Sequence, residues 1–477
     1  MQTEDTIAAI STAPGRSGIG IVRLSGRDAL KIAEKIFLSV RQKKISKTPS
    51  HRMLYGHIVD PENKETIDEV LVSVMKAPDT YTREDIVEIN SHGGPVPLRR
   101  ILDIVISSGA RLAEPGEFTQ RAFLNGRLDL AQAEAVIDII NALTEQSRKT
   151  AVAQLKGGLS RNIQSIREQL IELAAFVEAY IDFPDEDIEA LSLKDMKKRA
   201  RNIQQALQKL IESSRYGKVL REGLKTAIIG RPNVGKSSLL NALLEHDRAI
   251  VTESPGTTRD VIEECLSIKG IPVRIMDTAG IREGKDIAEK EGVKRSLMAM
   301  EDADLVLLVL DGSEALHKTD KELIEKAGSK NIIFVINKTD LPQNIYIGNV
   351  IPAKAGIQKK DWIPGQARND KTSPPVICIS AKKETGLDEL KTRIAETVLS
   401  GSAENSAEVV TSARHVHALE KALASMNAFI TAVDKKTSPE FLSVELRDAL
   451  DAIGDIIGIT TPDEILNKIF SSFCIGK

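Results

Sequence analysis

Cysteine is scarce in this sequence of 477 residues, and long apolar runs are missing. The three cysteines, Cys265, Cys378 and Cys474, cannot build a disulfide framework, which favours a reducing compartment. No apolar run reaches the roughly 18 residues that a membrane-spanning helix needs. The polar, acidic residues 1–5 are unlike a signal peptide. We therefore expect a cytoplasmic protein without a membrane segment.

Positive charge is not in excess either. With 65 Lys and Arg against 68 Asp and Glu, the net charge of −3 excludes a uniformly basic nucleic-acid-binding coat. A local basic surface is compatible with this value, because the whole-chain charge averages over domains. The run Arg-Gln-Lys-Lys at residues 41–44 is therefore either solvated surface or a contact to a nucleic acid.

The hydrophobic pattern divides the chain into regions of different character. A chain of 477 residues is too long for one core and should form two to four domains. Residues 1–126 have the pattern of an α/β domain, with strands at 19–24, 70–75 and 86–89 and helices at 28–37 and 97–108.

Apolar residues three or four apart predict amphipathic helices in segments 127–222 and 400–477. One long helix is expected across residues 151–177, and others at 193–214, 419–430 and 446–457. Their apolar stripes are too wide to be left in water. We therefore expect the later helices to pack on the earlier ones, forming a discontinuous helical-bundle domain into which another domain is inserted.

The inserted region, residues 223–399, alternates short apolar strands with helices. Strands are predicted at 226–229, 273–276, 305–310, 332–336 and 376–379. Their β-branched composition suits a parallel sheet buried on both faces, which indicates a doubly wound α/β domain. Within it, segment 345–375 contains several Pro and Gly residues, the only tryptophan (Trp362) and no clean period, so we expect a disordered surface insertion.

A phosphate-binding motif begins at Gly230. The segment Gly-Arg-Pro-Asn-Val-Gly-Lys-Ser matches G-x-x-x-x-G-K-S between a predicted strand and a predicted helix, a context that a chance Gly-rich turn lacks. Its glycines let backbone N–H groups close around phosphates, and the helix N-terminus adds positive potential. Lys236 would reach the β- and γ-phosphates, and the Ser237 hydroxyl would bind Mg²⁺.

Three further elements follow, each at the carboxyl end of a predicted strand. Asp277-Thr278-Ala279-Gly280 can hold a Mg²⁺-bound water and sense the γ-phosphate. In Asn337-Lys338-Thr339-Asp340, the aspartate can accept from N1–H and from the exocyclic amine of guanine, a pairing that adenine cannot offer. The backbone of Ser380-Ala381-Lys382 would contact the guanine oxygen. Together these elements predict a GTPase.

Hydrolysis cannot follow the scheme of Ras-like enzymes, which place a water-orienting glutamine after the Asp-Thr-Ala-Gly element. Ile281 occupies that position here, and isoleucine cannot orient water. Either another side chain orients the water or the chain is a slow switch. The acidic run that follows Ile281 could supply such a side chain, or it could be a solvated helix start. The hydroxyl-rich loop at 252–260 would be the first switch, with Thr258 as the second Mg²⁺ ligand.

Several motifs along the chain belong together. They are Pro-Gly-Arg at 14–16 with segment 18–23, segments 90–95, 121–130, 181–186 and 256–260, and Phe-Ser-Ser-Phe-Cys-Ile-Gly-Lys at 470–477. Over nearly its full length the chain resembles the MnmE (TrmE) family of tRNA-modification GTPases, and Phe-Cys-Ile-Gly-Lys is the most specific match. The resemblance implies an N-terminal α/β folate-binding-like domain, a discontinuous helical domain and an inserted Ras-like P-loop GTPase domain. The insertion at 345–375 departs from the family.

The resemblance also implies a reaction and its participants. Members of this family form homodimers through the N-terminal domain and act with the flavoprotein MnmG, as a heterotetramer, on the wobble uridine of certain tRNAs. They add a carboxymethylaminomethyl or aminomethyl group at C5. A 5,10-methylene or 5-formyl tetrahydrofolate derivative supplies the carbon, glycine or ammonium the nitrogen, and GTP turnover with Mg²⁺ and K⁺ drives the process.

Site residues follow by position. Folate binding falls on Arg23, Glu88, Lys477 and Arg127, where the family usually has lysine, and Cys474 is a possible functional residue. K⁺, which replaces an arginine finger, falls on Asn233, Thr252, Ser254 and Thr257, and the catalytic residues are Glu289, which orients the water, and Lys236. The motifs and the resemblance together assign GTP binding to Asn233, Val234, Gly235, Lys236, Ser237, Ser238, Thr252, Glu253, Ser254, Pro255, Gly256, Thr257, Thr258, Asp277, Thr278, Ala279, Gly280, Asn337, Lys338, Thr339, Asp340, Ser380, Ala381 and Lys382.

A second interpretation stays open. An Era-like regulatory GTPase, acting in ribosome assembly or a stress response, would share the same GTPase domain. Such a switch needs neither a folate-binding-like domain nor the Cys-Ile-Gly-Lys terminus.

Overall fold

The computed structural model describes residues 5–182, 193–247, 264–276, 298–327, 331–345, 374–399 and 409–477. The chain forms two compact units. Unit one comprises Met1–Ile137, Gln154–Ala200 and Ala424–Lys477, and unit two comprises Asp138–Ala153 and Arg201–Leu423. The division into domains at 1–126, 127–222, 223–399 and 400–477 stays a prediction.

Strands and helices are numbered in chain order. The strands are β1 Ile7–Ile10, β2 Ser17–Ser25, β3 Phe37–Ser39, β4 Arg52–Val59, β5 Thr66–Met75, β6 Ile86–Gly93, β7 Arg111–Leu112, β8 Leu224–Ile229, β9 Glu264–Ile268, β10 Ile271–Met276, β11 Leu305–Asp311, β12 Ile332–Asn337 and β13 Val376–Cys378. The helices are α1 Ala29–Ile36, α2 Pro95–Ser107, α3 Glu117–Leu124, α4 Leu130–Ile140, α5 Glu145–Leu155, α6 Gly158–Asp182, α7 Leu193–Glu222, α8 Lys236–Asp247, α9 Lys318–Lys326, α10 Leu387–Leu399, α11 Ala413–Asp434, α12 Pro439–Ile457 and α13 Asp463–Phe470.

Unit one contains a seven-stranded sheet in the order β3-β4-β5-β6-β2-β1-β7. Its strands pair antiparallel, apart from the parallel contact of β1 with β7. On β5 the alternate residues Val70, Val72 and Val74 are buried against α1 and α2, while Leu71 between them is exposed. This period of two is that of a sheet covered on one face by helices.

The helical part of unit one is built on α6, whose predicted apolar stripe is buried. Leu159, Ile163 and Leu170 are inaccessible to solvent, and α6 packs along α12. The predicted packing of later helices on earlier ones is thereby confirmed for this pair. The single long helix expected from residue 151 is wrong, because α5 ends before Gly157, which has φ +78°, and α6 starts afterwards. A left-handed glycine is a common way to end a helix.

Unit two contains a six-stranded sheet in the order β13-β12-β11-β8-β10-β9. All neighbours are parallel except β9, which runs antiparallel to β10 at the edge and was not predicted. Every residue of β11 and β12 is buried. Alternate residues of these strands enter two cores, one shared with α8 and α10 and the other with α9. Helices on both faces confirm the doubly wound architecture.

The described residues include no helix long and apolar enough to cross a membrane. Of the expected surface insertion at 345–375, only residues 345, 374 and 375 are described, so that expectation lies outside the described residues.

Candidate functional site

The predicted phosphate loop joins the end of β8 to the start of α8, at the carboxyl edge of the parallel sheet. Gly230, Asn233 and Gly235 have φ angles of +149°, +65° and +99°. Left-handed residues interspersed in a loop turn successive N–H groups toward one side and create a concavity that favours anions. The N-terminus of α8 adds its dipole at the same place. The geometry fits the phosphates of a nucleotide.

Asn337 fastens this loop to the guanine-recognition segments. Its side-chain Nδ2 donates to the Val234 carbonyl over 2.9 Å, and the Ala381 backbone N–H donates to its Oδ1 over 3.0 Å. A Cβ atom on Gly235 would lie 2.1 Å from Asn337 Nδ2. Glycine is therefore needed at position 235 for close packing as well as for its backbone angle. Three of the predicted elements meet at this one buried asparagine.

Lys236 is held inside the loop. Its Nζ donates to the carbonyls of Gly230, over 2.8 Å, and Arg231, over 2.9 Å. Burial lowers the pKa of Lys236, because the charged ammonium is partly removed from water. A phosphate in the loop would supply the opposite charge that stabilises the ammonium, which is the role predicted for this lysine.

The guanine end of the site is arranged around Asp340. Its Oδ1 accepts from the Ser380 hydroxyl over 2.6 Å, and this bond lowers the pKa of Asp340, which favours the carboxylate. The Thr339 N–H donates to the Ile379 carbonyl over 3.2 Å. An ionised acceptor fixed in this way is suited to the paired donors of guanine.

Lys338 is tied to a residue that the sequence patterns did not single out. Its Nζ lies 2.5 Å from Oδ2 of Asp311, a buried residue at the carboxyl end of β11. Burial raises the pKa of Asp311, but hydrogen bonds from Lys338 and Ser313 outweigh it and leave that pKa lowered. The available signal was an aspartate ending an otherwise wholly apolar strand.

The remaining predicted residues of the nucleotide site fall into two groups. Ser237, Ser238 and Lys382 lie on the exposed or partly exposed rim of the described site. The others lie outside the described residues: Thr252, Glu253, Ser254, Pro255, Gly256, Thr257, Thr258, Asp277, Thr278, Ala279, Gly280 and Glu289.

A second constellation lies in unit one, on the sheet of the N-terminal region. Arg23 on β2 and Glu88 on β6 are cross-strand partners, and Arg23 Nε and Nη2 each lie 2.8 Å from Glu88 Oε1. Arg23 Nη1 also donates to the Gly476 carbonyl over 3.4 Å. The pair is about four-fifths buried, with side-chain exposures of 18% and 21%.

The segment around Cys474 lies against this region. Ile475 forms a bridge with Pro115, and the Cys474 carbonyl accepts from the N–H groups of Gly116 and Lys477. Gly476 has φ +95°, and a Cβ atom on it would lie 2.5 Å from the Ile10 carbonyl oxygen. The Cys474 thiol is free and exposed. This seating brings the peptide group between Gly476 and Lys477 next to Arg23.

Two aromatic rings connect Arg23 to Arg127. The Arg23 guanidinium lies 5.6 Å from the centre of the Phe118 ring, and that of Arg127 lies 4.8 Å from the centre of the Tyr81 ring. Tyr81 packs on the cluster that contains Phe118, and its hydroxyl lies 2.9 Å from Thr119 Oγ1. The four predicted folate residues thus belong to one continuous region. Sequence reasoning missed both rings, although tyrosine and phenylalanine are uncommon in this chain.

Comparisons with known proteins identify the family of this chain. Residues 6–127 match the family described as "GTP-binding protein TrmE N-terminus", and residues 130–474 match the family described as "MnmE helical domain". The chain belongs to the MnmE family. It is 48% identical to "tRNA modification GTPase MnmE" of Alkaliphilus oremlandii (strain OhILAs), over 100% of both chains. It is 50% identical to the protein of the same name from Thermoanaerobacter pseudethanolicus, over 99% of both chains.

Among solved structures, the G domain of the T. maritima FeoB iron transporter covers 36% of this chain and 97% of its own. The identity is 26% and the TM-score 0.25, and a score this low carries no argument about the present chain. Membership of the MnmE family rests on the sequence matches, and it confirms the resemblance seen in the motifs.

Proposed function

We propose that this chain hydrolyses GTP to drive tRNA modification. With an MnmG flavoprotein it adds a carboxymethylaminomethyl or aminomethyl group to C5 of the wobble uridine. The observation that carries the proposal is the presence, in one chain of the MnmE family, of a phosphate loop fastened through Asn337 to the predicted guanine-recognition segments and of a separate cationic region at Arg23. A pure switch requires only the first of these.

The phosphate loop is proposed to act with two cations. Ser237, at the start of α8, and Thr258 would hold Mg²⁺, which neutralises phosphate charge when bound. Asn233, whose left-handed backbone places it at the turn of the loop, would hold K⁺ together with Thr252, Ser254 and Thr257. By its position in the family, Glu289 would orient the attacking water, a role that Ile281 cannot fill. Lys236 would bind the β- and γ-phosphates.

The second region is proposed to bind a 5,10-methylene or 5-formyl tetrahydrofolate derivative, which supplies the one-carbon unit. Arg23, Arg127 and Lys477 offer positive charge for the carboxylates of such a ligand. Cation–π contacts with Phe118 and Tyr81 stabilise the guanidinium groups of Arg23 and Arg127. Glu88 fixes the plane of the Arg23 guanidinium. Cys474 is exposed beside this region, where its thiol is accessible to a reacting group.

We further propose that the protein is a homodimer that associates with MnmG and tRNA. In unit one, the sheet face opposite α1 and α2 exposes the large apolar side chains of Leu38, Met53, Tyr55 and Leu71. Tyr55 and Leu71 are direct cross-strand partners, so they contribute to one patch. An exposed apolar patch on a sheet is a typical site of self-association.

The proposal is tested by mass spectrometry of tRNA nucleosides. A strain whose gene for this chain is deleted should lose the C5-modified wobble uridines, and the wild-type gene should restore them. The matched variant Asp340→Asn should fail to restore them, because guanine binding is lost. Unchanged modified uridines in the deletion strain would refute the modification function and favour the Era-like regulatory interpretation.

A further inference from the structure

The loop between β3 and β4 concentrates positive charge in a chain whose net charge is −3. Residues 39–53, which comprise this loop and the adjoining ends of β3 and β4, contain Arg41, Lys43, Lys44, Lys47 and Arg52 and no acidic residue. All five cations are exposed to solvent. The local charge therefore has the opposite sign to that of the whole chain, which is the pattern of a dedicated surface for a polyanion.

The loop is anchored to the body of unit one. Ile45, in its middle, is 1% exposed and belongs to the core between the sheet and its helices. Thr48 is also buried, and its hydroxyl donates to the Lys44 carbonyl over 2.9 Å. The flanking cations are therefore held on a fixed backbone, which lowers the entropy lost when they bind.

Lys76 extends this surface from the neighbouring strand end. Its Nζ donates to the Ser46 carbonyl over 3.0 Å, and its backbone N–H donates to the Ser50 hydroxyl over 2.9 Å. Arg52 pairs in register with Val74, two residues before Lys76. We define the basic surface as these six cations: Arg41, Lys43, Lys44, Lys47, Arg52 and Lys76.

None of the six cations makes an ion pair within the part of the chain that the structure describes. The neighbouring carboxylate, Glu34, already accepts the Ser46 N–H over 2.8 Å. Burial raises the pKa of Glu34, but the bonds from Ser46 and the charges of Lys44 and Lys47 leave it lowered. The cations thus exceed the local acids and remain open to an external anion.

A second basic run, at the start of α7, shows that closely spaced cations can be paired with carboxylates of the protein itself. There Lys197 is paired with Asp434, and Arg199 lies 3.3 Å from Glu172. The charges of Lys197 and Arg199 are neutralised within the protein, whereas none of the six cations of the basic surface has such a partner among the described residues.

We infer that the basic surface binds the phosphate backbone of tRNA. The inference rests on the proposed function, which supplies the polyanionic substrate. Lysine and arginine on a fixed loop bind phosphates without reading bases, release condensed counterions and set the position of the nucleic acid. The surface would therefore hold the body of the tRNA in a sequence-independent way while other groups reach the uridine.

The test compares two triple variants of the full-length chain by fluorescence anisotropy with labelled tRNA over a range of KCl concentrations. Lys43→Gln, Lys44→Gln and Lys47→Gln together should weaken binding about tenfold or more at low salt. They should also reduce the slope of log K against log [salt] by about 2–3. The control, Lys194→Gln, Lys198→Gln and Arg201→Gln, removes the same charge from exposed positions of α7 and should bind like wild type.

Basal GTP hydrolysis and the circular dichroism spectrum should be the same in both triple variants, which excludes misfolding as the cause. Wild-type affinity and salt slope in the Lys43, Lys44 and Lys47 variant would overturn the inference. The inference would also be overturned if this variant lost binding to phosphatidylserine vesicles but retained binding to tRNA, because the surface would then serve a membrane. Failure of the proposed function has a different signature, namely modified wobble uridines that persist in the deletion strain.

Discussion

The nucleotide site of unit two and the cationic region of unit one are built on opposite principles. The phosphate loop is a continuous stretch of chain, and its angles at Gly230, Asn233 and Gly235 create an anion site by themselves. The cationic region is made from residues that meet only after folding, and Arg23 and Gly476 are 453 positions apart. A contiguous site can be recognised as a motif in the sequence. A site assembled from distant residues can be recognised only from the fold or from a family resemblance.

The largest effect is expected at the guanine end of the nucleotide site. Asp340→Asn should weaken GTP binding about 10²–10⁴-fold, because the carboxylate charge is lost and the amide NH2 places a donor opposite one of the two guanine donors. Titration with a fluorescent GTP analogue would measure this loss. Xanthosine triphosphate serves as the control, since its C2 carbonyl can accept from the new amide. If the variant retained its preference for GTP over xanthosine triphosphate, the role of Asp340 would be disproved.

The dependence of that site on K⁺ is the next largest. Replacing K⁺ by Na⁺ should slow GTP hydrolysis at least about tenfold and at most by the roughly 10³–10⁵ that an arginine finger contributes. Asn233→Ala should make the two rates converge. Affinity for GDP, measured in both salts, should change little. Equal hydrolysis rates in K⁺ and Na⁺ for the wild type would remove K⁺ from the mechanism.

A moderate effect is expected in the cationic region of unit one, where a single substitution should weaken folate binding and leave GTP binding unchanged. Gly476→Ala introduces a side chain at φ +95° and 2.5 Å from the Ile10 carbonyl oxygen, so the terminal segment has to shift. Strain of this kind costs roughly 1–3 kcal/mol. Binding of 5-formyl-tetrahydrofolate should weaken by about 5- to 150-fold in isothermal titration calorimetry.

The matched control is Ile475→Ala, which truncates a half-exposed side chain and keeps the backbone bridge to Pro115. It should bind the folate like wild type, and both variants should bind GTP normally. A fall in GTP affinity with Gly476→Ala would show that the two sites are not built independently.

The smallest effect is expected at Cys474. Its backbone carbonyl, rather than its thiol, accepts the bonds that seat the segment, so Cys474→Ser should change the free energy of unfolding by less than about 0.5 kcal/mol. Folate binding should also persist. Loss of tRNA modification under these conditions would assign a chemical role to the thiol, and full activity would dismiss one.

The contrast between contiguous and assembled sites also explains which parts of the structure could be predicted from the sequence. The strands around Gly230 and Asn337 follow from apolar, β-branched runs, and the motifs between them fix the register of the nucleotide site. The antiparallel edge strand β9 was missed, since Glu-Cys-Leu-Ser-Ile is too short and mixed to stand out. The helix at 151–177 was wrongly continued through Gly157, because its apolar spacing survives a break that a left-handed glycine imposes.

In unit one, the sequence patterns predicted β2, β5 and β6 but not β4, whose burial alternates around a central glycine, Gly56. Arg23 and Glu88 were identified only through the resemblance, since no local pattern links two strands 65 positions apart. Tyr81 and Phe118 were missed for the same reason: a ring beneath an arginine is a tertiary contact. Pairing between distant segments is what a single sequence does not encode locally.

The contact between Arg23 and Gly476 can form only late in the synthesis of the chain. A ribosome makes the chain from its N-terminus, so Arg23 and Glu88 can pair early, while the carbonyl of Gly476 is added 453 residues after Arg23. At about 5–20 residues per second, that interval is roughly 20–90 s. During synthesis the sheet of unit one can therefore fold before segment 474–477 is seated against it. A chain released before Gly476 is added would lack this contact.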